Sequence, residues 1–138
     1  PPDVIPEDLR YSSEHEWVRA QDGGEATDGV TVARVGITDY AQKQLGDVVF
    51  VDLPAVGSEL AQAGEAGVIE SVKTASDLFA PVSGRVIKLN PALEETPEIV
   101  NDSPYDKGWL FRVQPDDAAA DMDNLLDAEG YQQTVELD

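Results

Sequence analysis

Gly67-Val-Ile-Glu70-Ser-Val-Lys73-Thr-Ala-Ser-Asp77-Leu-Phe-Ala-Pro-Val-Ser-Gly84 is the stretch whose reading decides the fold. The run before the lysine, Val68 to Val72, is β-branched and half-polar. The run after it, Leu78 to Val82, ends in the turn signal Ser83-Gly84. Two strand signals separated by a few small or polar residues predict a β-hairpin. Lys73 then stands at or beside the tip, sharing the bend with Thr74 and Ala75. A rigid scaffold that presents one amine to solvent suits an amine that is to be modified. A tip lysine is also commonly just a solvated charge. Spacing alone leaves both readings open.

Working outward, short strand signals alternate with Gly and Pro turns. Tyr11 to Arg19 reads as a first strand, Gln21 to Gly29 as a flexible turn, and Val30 to Ile37 as the returning strand. Thr38 is suited to cap a short helix over Tyr40 to Leu45, with Gly46 to end it. Asp47 to Leu53 is strongly β-forming, and Pro54 stops it. Val56 to Leu60 and Ala63 to Gly67 mark turns between short strands. Arg85 to Asn90 and Gly108 to Val113 read as further strands. Between them, Pro91 to Val100 reads as loop with short helical pieces.

From Asp116 the pattern turns helical, with Ala118, Met122, Leu125 and Leu126 on one face and Gly130 as an interruption. This tail holds eight acids and no Lys or Arg. Many short strands with Gly and Pro turns predict an all-β sandwich or barrel. A chain of 138 residues predicts one domain.

Composition narrows the function. Hydrophobic content of 41% predicts a globular fold rather than disorder. Nine basic against 28 acidic residues give a net charge of −19, which argues against nucleic-acid binding and against anionic membranes. The acidity serves solubility, and it can also steer the chain toward partners with basic docking surfaces. The absence of cysteine excludes disulfides, thiolate metal sites and cysteine nucleophiles. The single histidine, His15, excludes a multi-histidine metal site and lies between two acids as a structural or surface residue. No metal site is predicted. No apolar run approaches a membrane span. No basic, apolar presequence is read before Pro1, and the start without Met leaves a processed or trimmed N-terminus open; a bacterial cytoplasm or, for a mature organellar form, a mitochondrial matrix is expected. Paired carboxylates arise by chance among so many acids, and no motif singles out a hydrolase pair.

Glu70-Ser-Val-Lys73-Thr-Ala-Ser-Asp77, followed by Ala80-Pro-Val-Ser-Gly84, resembles the lipoyl-attachment hairpin of the glycine cleavage system H proteins. His15-Glu-Trp17, Gly36 to Gln42, Leu45 to Pro54, Asn101 to Tyr105 and Gly108-Trp-Leu110 resemble the same family in the same order. The residues flanking Lys73 do not match a biotinyl domain, which usually has methionines there, nor the Asp-Lys-Ala of a 2-oxoacid dehydrogenase lipoyl domain. The enlarged Gln21 to Gly29 turn is the clearest departure from the family pattern.

The resemblance implies a mainly β fold of two antiparallel sheets in a flattened barrel-sandwich hybrid, with short flanking helices and a C-terminal helix over about 116–137. It implies a single lipoyl-carrier domain over 1–138 with a core of about 30–113. Lys73 would carry lipoic acid in amide linkage, and the chain would be a carrier rather than an enzyme. Its lipoamide would accept an aminomethyl group from glycine decarboxylase and deliver it to the aminomethyltransferase. Dihydrolipoyl dehydrogenase would then reoxidise the dithiol. Relay of lipoate to other complexes is the alternative. Glu16, Ile37 and Asp77 match positions lining a resting cleft for the arm, with Gln44 and Thr74 less firmly matched. Glu70 and Asp77 would help a lipoate-attaching ligase or transferase tell Lys73 from Lys43, Lys88 and Lys107. A monomer is expected.

Overall fold

A computed structural model describes residues 5–22, 31–116 and 118–137. The first hairpin is tighter than the sequence suggests. Strand β1 (Arg10–Tyr11) and strand β2 (Glu16–Asp22) pair antiparallel, with Tyr11 opposite Trp17. The expected single strand from Tyr11 to Arg19 is therefore two strands folded about Ser12 to His15. His15 takes the left-handed step at φ 72°. That conformation is uncommon without glycine, so the sequence carried no turn signal there. Strand β3 (Thr31–Ile37) pairs with all of β2, from Glu16 opposite Ile37 to Asp22 opposite Thr31. Gln21 and Asp22 thus belong to β2 rather than to a loop. The rest of the expected turn, 23–29, lies outside the described residues.

Thr38 does cap helix α1 (Asp39–Leu45): its Oγ1 accepts the Ala41 N–H at 3.2 Å. Gly46 closes the helix at φ 79°, where its N–H reaches the Gln42 carbonyl at 3.0 Å. Strand β4 (Val48–Asp52) follows, then β5 (Glu59–Leu60), β6 (Glu65–Ser71), β7 (Ala75–Phe79) and β8 (Gly84–Leu89). Glu65 to Gly67 begin β6 instead of forming a turn, while Ala80 to Ser83 turn the chain out of β7. Helices α2 (Ala92–Glu95) and α3 (Ile99–Asp102) precede β9 (Phe111–Pro115).

Two antiparallel sheets result, as the resemblance implies, without a closed barrel. One runs β1-β2-β3-β9-β8-β5 and the other β4-β6-β7. Their facing sides share one core: Val18, Val35, Val86, Phe111 and Val113 from the larger sheet meet Val48, Ile69 and Leu78 from the smaller. A second cluster holds Leu9, Tyr11, Trp17, Trp109 and Tyr131. Tyr11 and Tyr131 stack there at 4.7 Å, and the Trp17 indole N–H donates to the Pro104 carbonyl at 2.9 Å.

The acidic tail forms helices α4 (Ala118–Asp123) and α5 (Ala128–Leu137). Met122 and Leu125 pack on the main core as expected. Leu125 and Leu126 lie in the break between the helices, however, and not on one continuous face. Leu126 instead exchanges backbone hydrogen bonds with Tyr11 at 2.7 and 2.8 Å. Gly130 does not interrupt the helix. It sits in the first turn of α5, where its N–H is capped by the Asp127 carboxylate at 2.8 Å.

Candidate functional site

Lys73 stands at the end of the smaller sheet. Strands β6 and β7 pair with Glu70 opposite Ala75, Ile69 opposite Ser76 and Val68 opposite Asp77. The Ser71 N–H donates to the Thr74 carbonyl at 2.8 Å and closes a loop of Val72 and Lys73. The Ser71 hydroxyl then accepts the Lys73 and Thr74 amides, each at 3.2 Å. A second anchor joins the loop to the start of β4, since the Val72 N–H donates to the Asp47 carbonyl at 3.0 Å. The tip is thus held by backbone and by one serine, while the Lys73 side chain is exposed. The Lys73 stem passes Gly46, where a Cβ would lie 3.3 Å from the lysine Cε.

A cavity of about 380 Å³ opens beside this hairpin. Glu16, Ile37 and Asp77 all line it, with Leu45, Ile69 and Leu78 as apolar wall. The register explains the meeting: Glu16 faces Ile37 across β2–β3, and Asp77 follows four residues after Lys73 on β7. Gln44 and Thr74 reach the same cavity, as do Glu14 and His15. Glu70 does not. It is exposed on the outer face of the smaller sheet, opposite Phe50.

Glu16 is only 2% exposed. The Ser12 hydroxyl donates to its Oε1, and the Phe79 N–H approaches its Oε2 at 3.4 Å. Burial pushes its carboxyl up to about 7; the neighbouring Glu14 charge adds to this, and the two hydrogen bonds oppose it. Glu16 is thus poised near neutrality, whereas Asp77 is exposed. A second cavity of about 480 Å³ adjoins along Glu14 and Glu16, with Phe79, Leu125 and Leu126 among its walls.

His15, expected from the sequence to be without a partner, is half-buried, lines the cleft and has a partner in the C-terminal helix. Its Nδ1 lies 2.8 Å from the Tyr131 hydroxyl, which lies 2.7 Å from Thr38 Oγ1. Sequence reasoning missed the roles of Ser12 and Tyr131. Neither has a local signal, because each acts on a residue brought near by folding.

Two short-stranded antiparallel sheets that present one lysine on a pinned loop, beside a cleft of mixed polar and apolar lining that includes the buried Glu16 carboxyl, have the architecture of a carrier. The chain belongs to the glycine cleavage H-protein family, whose model matches residues 9–138. It is 56% identical over 132 residues to the glycine cleavage system H protein of Bacteroides fragilis, covering 95% of this chain and 97% of that one. It is 51% identical over 134 residues to that of Teredinibacter turnerae, covering 97% of each. It is also similar to the crystal structure of a glycine cleavage system H protein from Mycobacterium marinum. The TM-score there is 0.82 at 40% identity, over 96% of this chain and 99% of that one.

Proposed function

We propose that Lys73 is the lipoyl attachment site of this carrier. The chain serves the glycine cleavage system as its lipoyl carrier and leaves the catalysis to partner enzymes. The observation that carries the site assignment is the position of Lys73: exposed on a loop pinned by Ser71 and Asp47, beside the cavity lined by Glu16, Ile37 and Asp77. When bound, lipoamide supplies the dithiolane that takes up and hands on the one-carbon unit of glycine.

The residues present fit that group. Acylation of Lys73 Nζ removes its charge, so an arm can lie against Leu45, Ile69 and Leu78 without burying an ammonium there. Glu16 and Asp77 supply the polar end of the cavity. A cationic head entering it would be met by both carboxyls, and its charge would draw Glu16 toward the ionised form. Glu16, 2% exposed, would meet such a head on its buried side and the exposed Asp77 on its outer side. Tethering meanwhile keeps the reactive sulfurs at high local concentration for whichever enzyme is engaged.

The partners on this reading are glycine decarboxylase, aminomethyltransferase, dihydrolipoyl dehydrogenase and a lipoate-attaching ligase or transferase. The carrier works as a monomeric single domain, in the cytoplasm of a bacterial cell. Among the described residues no helix is long and apolar enough to cross a membrane.

Peptide mass spectrometry of protein purified from lipoate-replete native cells tests the assignment. One lipoyl adduct confined to the Lys73 peptide is the expected result. An adduct elsewhere, or none, overturns it.

A further inference from the structure

Four of the nine basic residues stand in one row across the larger sheet. Arg19 on β2 is opposite Arg34 on β3, Arg34 is opposite Arg112 on β9, and Arg112 is opposite Lys88 on β8. The alternating neighbours Val18, Val35, Phe111 and Val113 point into the core, so the row lies on the outer face. Adjacent strands run about 4.8 Å apart, which places like charges where they repel. Two of the four converge further: the guanidinium carbons of Arg34 and Arg112 lie 5.5 and 4.8 Å from the centroid of the Trp109 ring. Nearby acids neutralise the row poorly. Arg19 meets Asp8 at 3.5 Å and Arg34 meets Asp106 at 3.9 Å, and both carboxylates are mostly exposed. Arg34 also donates to the Asp106 carbonyl at 2.9 Å. Among the described residues, Arg112 and Lys88 form no ion pair. The Nε atoms of Arg19, Arg34 and Arg112 are buried with no acceptor among those residues. Burial, and then the Arg112 charge, lower the Arg34 guanidinium from its ordinary value, and Asp106 opposes them.

We infer that Arg34 and Arg112, flanked by Arg19 and Lys88, form a binding site for a phosphate group. The site belongs to the larger sheet and the Lys73 loop to the smaller, so it stands independently of the lipoyl assignment. Charge selects the ligand. Two guanidiniums drawn onto one ring are neutralised by one doubly charged anion, whereas a carboxylate offsets only one of them. Geometry agrees, because guanidinium forks match phosphate oxygens, and one phosphate has oxygens enough to accept from both side chains. Lys88 adds an exposed point charge at the edge of the row. Trp109 is 8% exposed: it backs the two guanidiniums and offers no open face for a nucleobase. Recognition is therefore of the phosphate itself, as the free ion or as the head of a small ester. A nucleic acid is disfavoured as its source by the net charge of −19. Bound phosphate relieves the repulsion along the row and ties β3 to β9, so the stability of the carrier rises with phosphate concentration.

The test follows the arginine Nε resonances of the full chain by NMR as inorganic phosphate is added at neutral pH, with chloride holding the ionic strength constant. The Arg34 and Arg112 signals should shift and saturate with a Kd on the order of 1 mM, while those of Arg10 and Arg85 stay in place. Arg34→Gln/Arg112→Gln should weaken binding at least about tenfold. Lys88→Gln, at an exposed position, should weaken it about twofold to threefold and serves if the double variant fails to fold. Wild-type affinity in either variant overturns the site. So do shifts that never saturate, or that chloride alone reproduces, since these report screening rather than binding. Glycerol 3-phosphate in place of inorganic phosphate separates the two sources: tighter binding assigns the site to an ester, and equal or weaker binding to the free ion. A short polyglutamate peptide that binds more tightly than either overturns the phosphate assignment in favour of an acidic protein segment.

Discussion

The hydroxyl of Tyr131 lies 2.8 Å from Nδ1 of His15, a residue 116 positions earlier in the chain. It also lies 2.7 Å from the hydroxyl of Thr38, the N-cap of α1. One buried phenol in the C-terminal helix therefore braces the turn before β2 and the start of α1, and both flank the Lys73 cleft. The acidic tail is part of the cleft's frame.

Tyr131→Phe keeps the ring and its stacking on Tyr11 but removes this bridge. It should cost about 1–2 kcal/mol, the usual loss when buried polar partners lose a hydrogen bond. Urea unfolding monitored by Trp fluorescence measures it. An unchanged midpoint would show that the bridge contributes nothing.

Glu16 gives stability a pH dependence with a definite sign. Its folded value is raised from 4.5 to about 7, so the folded state binds its proton more tightly than the unfolded chain does. The resulting contribution is complete below 4.5 and is lost as pH rises through about 7. Glu16→Gln should therefore be more stable than wild type at pH 8, by on the order of 2–3 kcal/mol. The gap should shrink to about 1 kcal/mol at pH 5 and close only below pH 4.5. Parallel stability curves for the two proteins would contradict the buried, proton-binding Glu16.

Lys73→Arg tests chemistry apart from folding. The side chain is exposed, so stability should stay within about 0.5 kcal/mol of wild type. Glycine cleavage in a reconstituted system should fall to background, because a guanidinium cannot be acylated under these conditions. Activity near the wild-type level would remove Lys73 from the proposal.

Gly67 permits the close approach of β4 and β6. A Cβ there would lie 2.1 Å from the Asp52 carbonyl oxygen, with backbone that cannot swing aside. Gly67→Ala should cost about 1–3 kcal/mol or more as the strands are forced apart. Because the Lys73 loop hangs on these strands, lipoyl attachment should slow as well. Thermal melts together with attachment rates check both effects; a variant with normal values in each would place the strain elsewhere.

Much of the site was legible before the fold. The β-branched runs around Lys73, the Thr38 cap and the Gly46 stop are local chemistry, readable from a few adjacent residues. The resemblance brought Glu16, Ile37 and Asp77 to one cleft, and the cavity does contain all three. The misreadings share one cause. The turn at Ser12 to His15 has no glycine, and the placement of Leu125 and Leu126 between two helices is set by pairing with Tyr11. Periodicity reports which face of a segment is apolar, not which distant segment will cover it.

The sequence by itself determined the lysine hairpin, the strand-rich composition, the acidic charge and the family, because these reside in neighbouring residues and their order. Only the tertiary structure decided the rest. It placed β9 between β3 and β8, buried Glu16 deeply enough to bring its carboxyl near neutrality, and set Tyr131 against His15. It also turned Phe50 outward through a slip in strand register. Each of these depends on desolvation or contact between residues far apart in the chain. Such terms exist only once the two sheets have closed on one another.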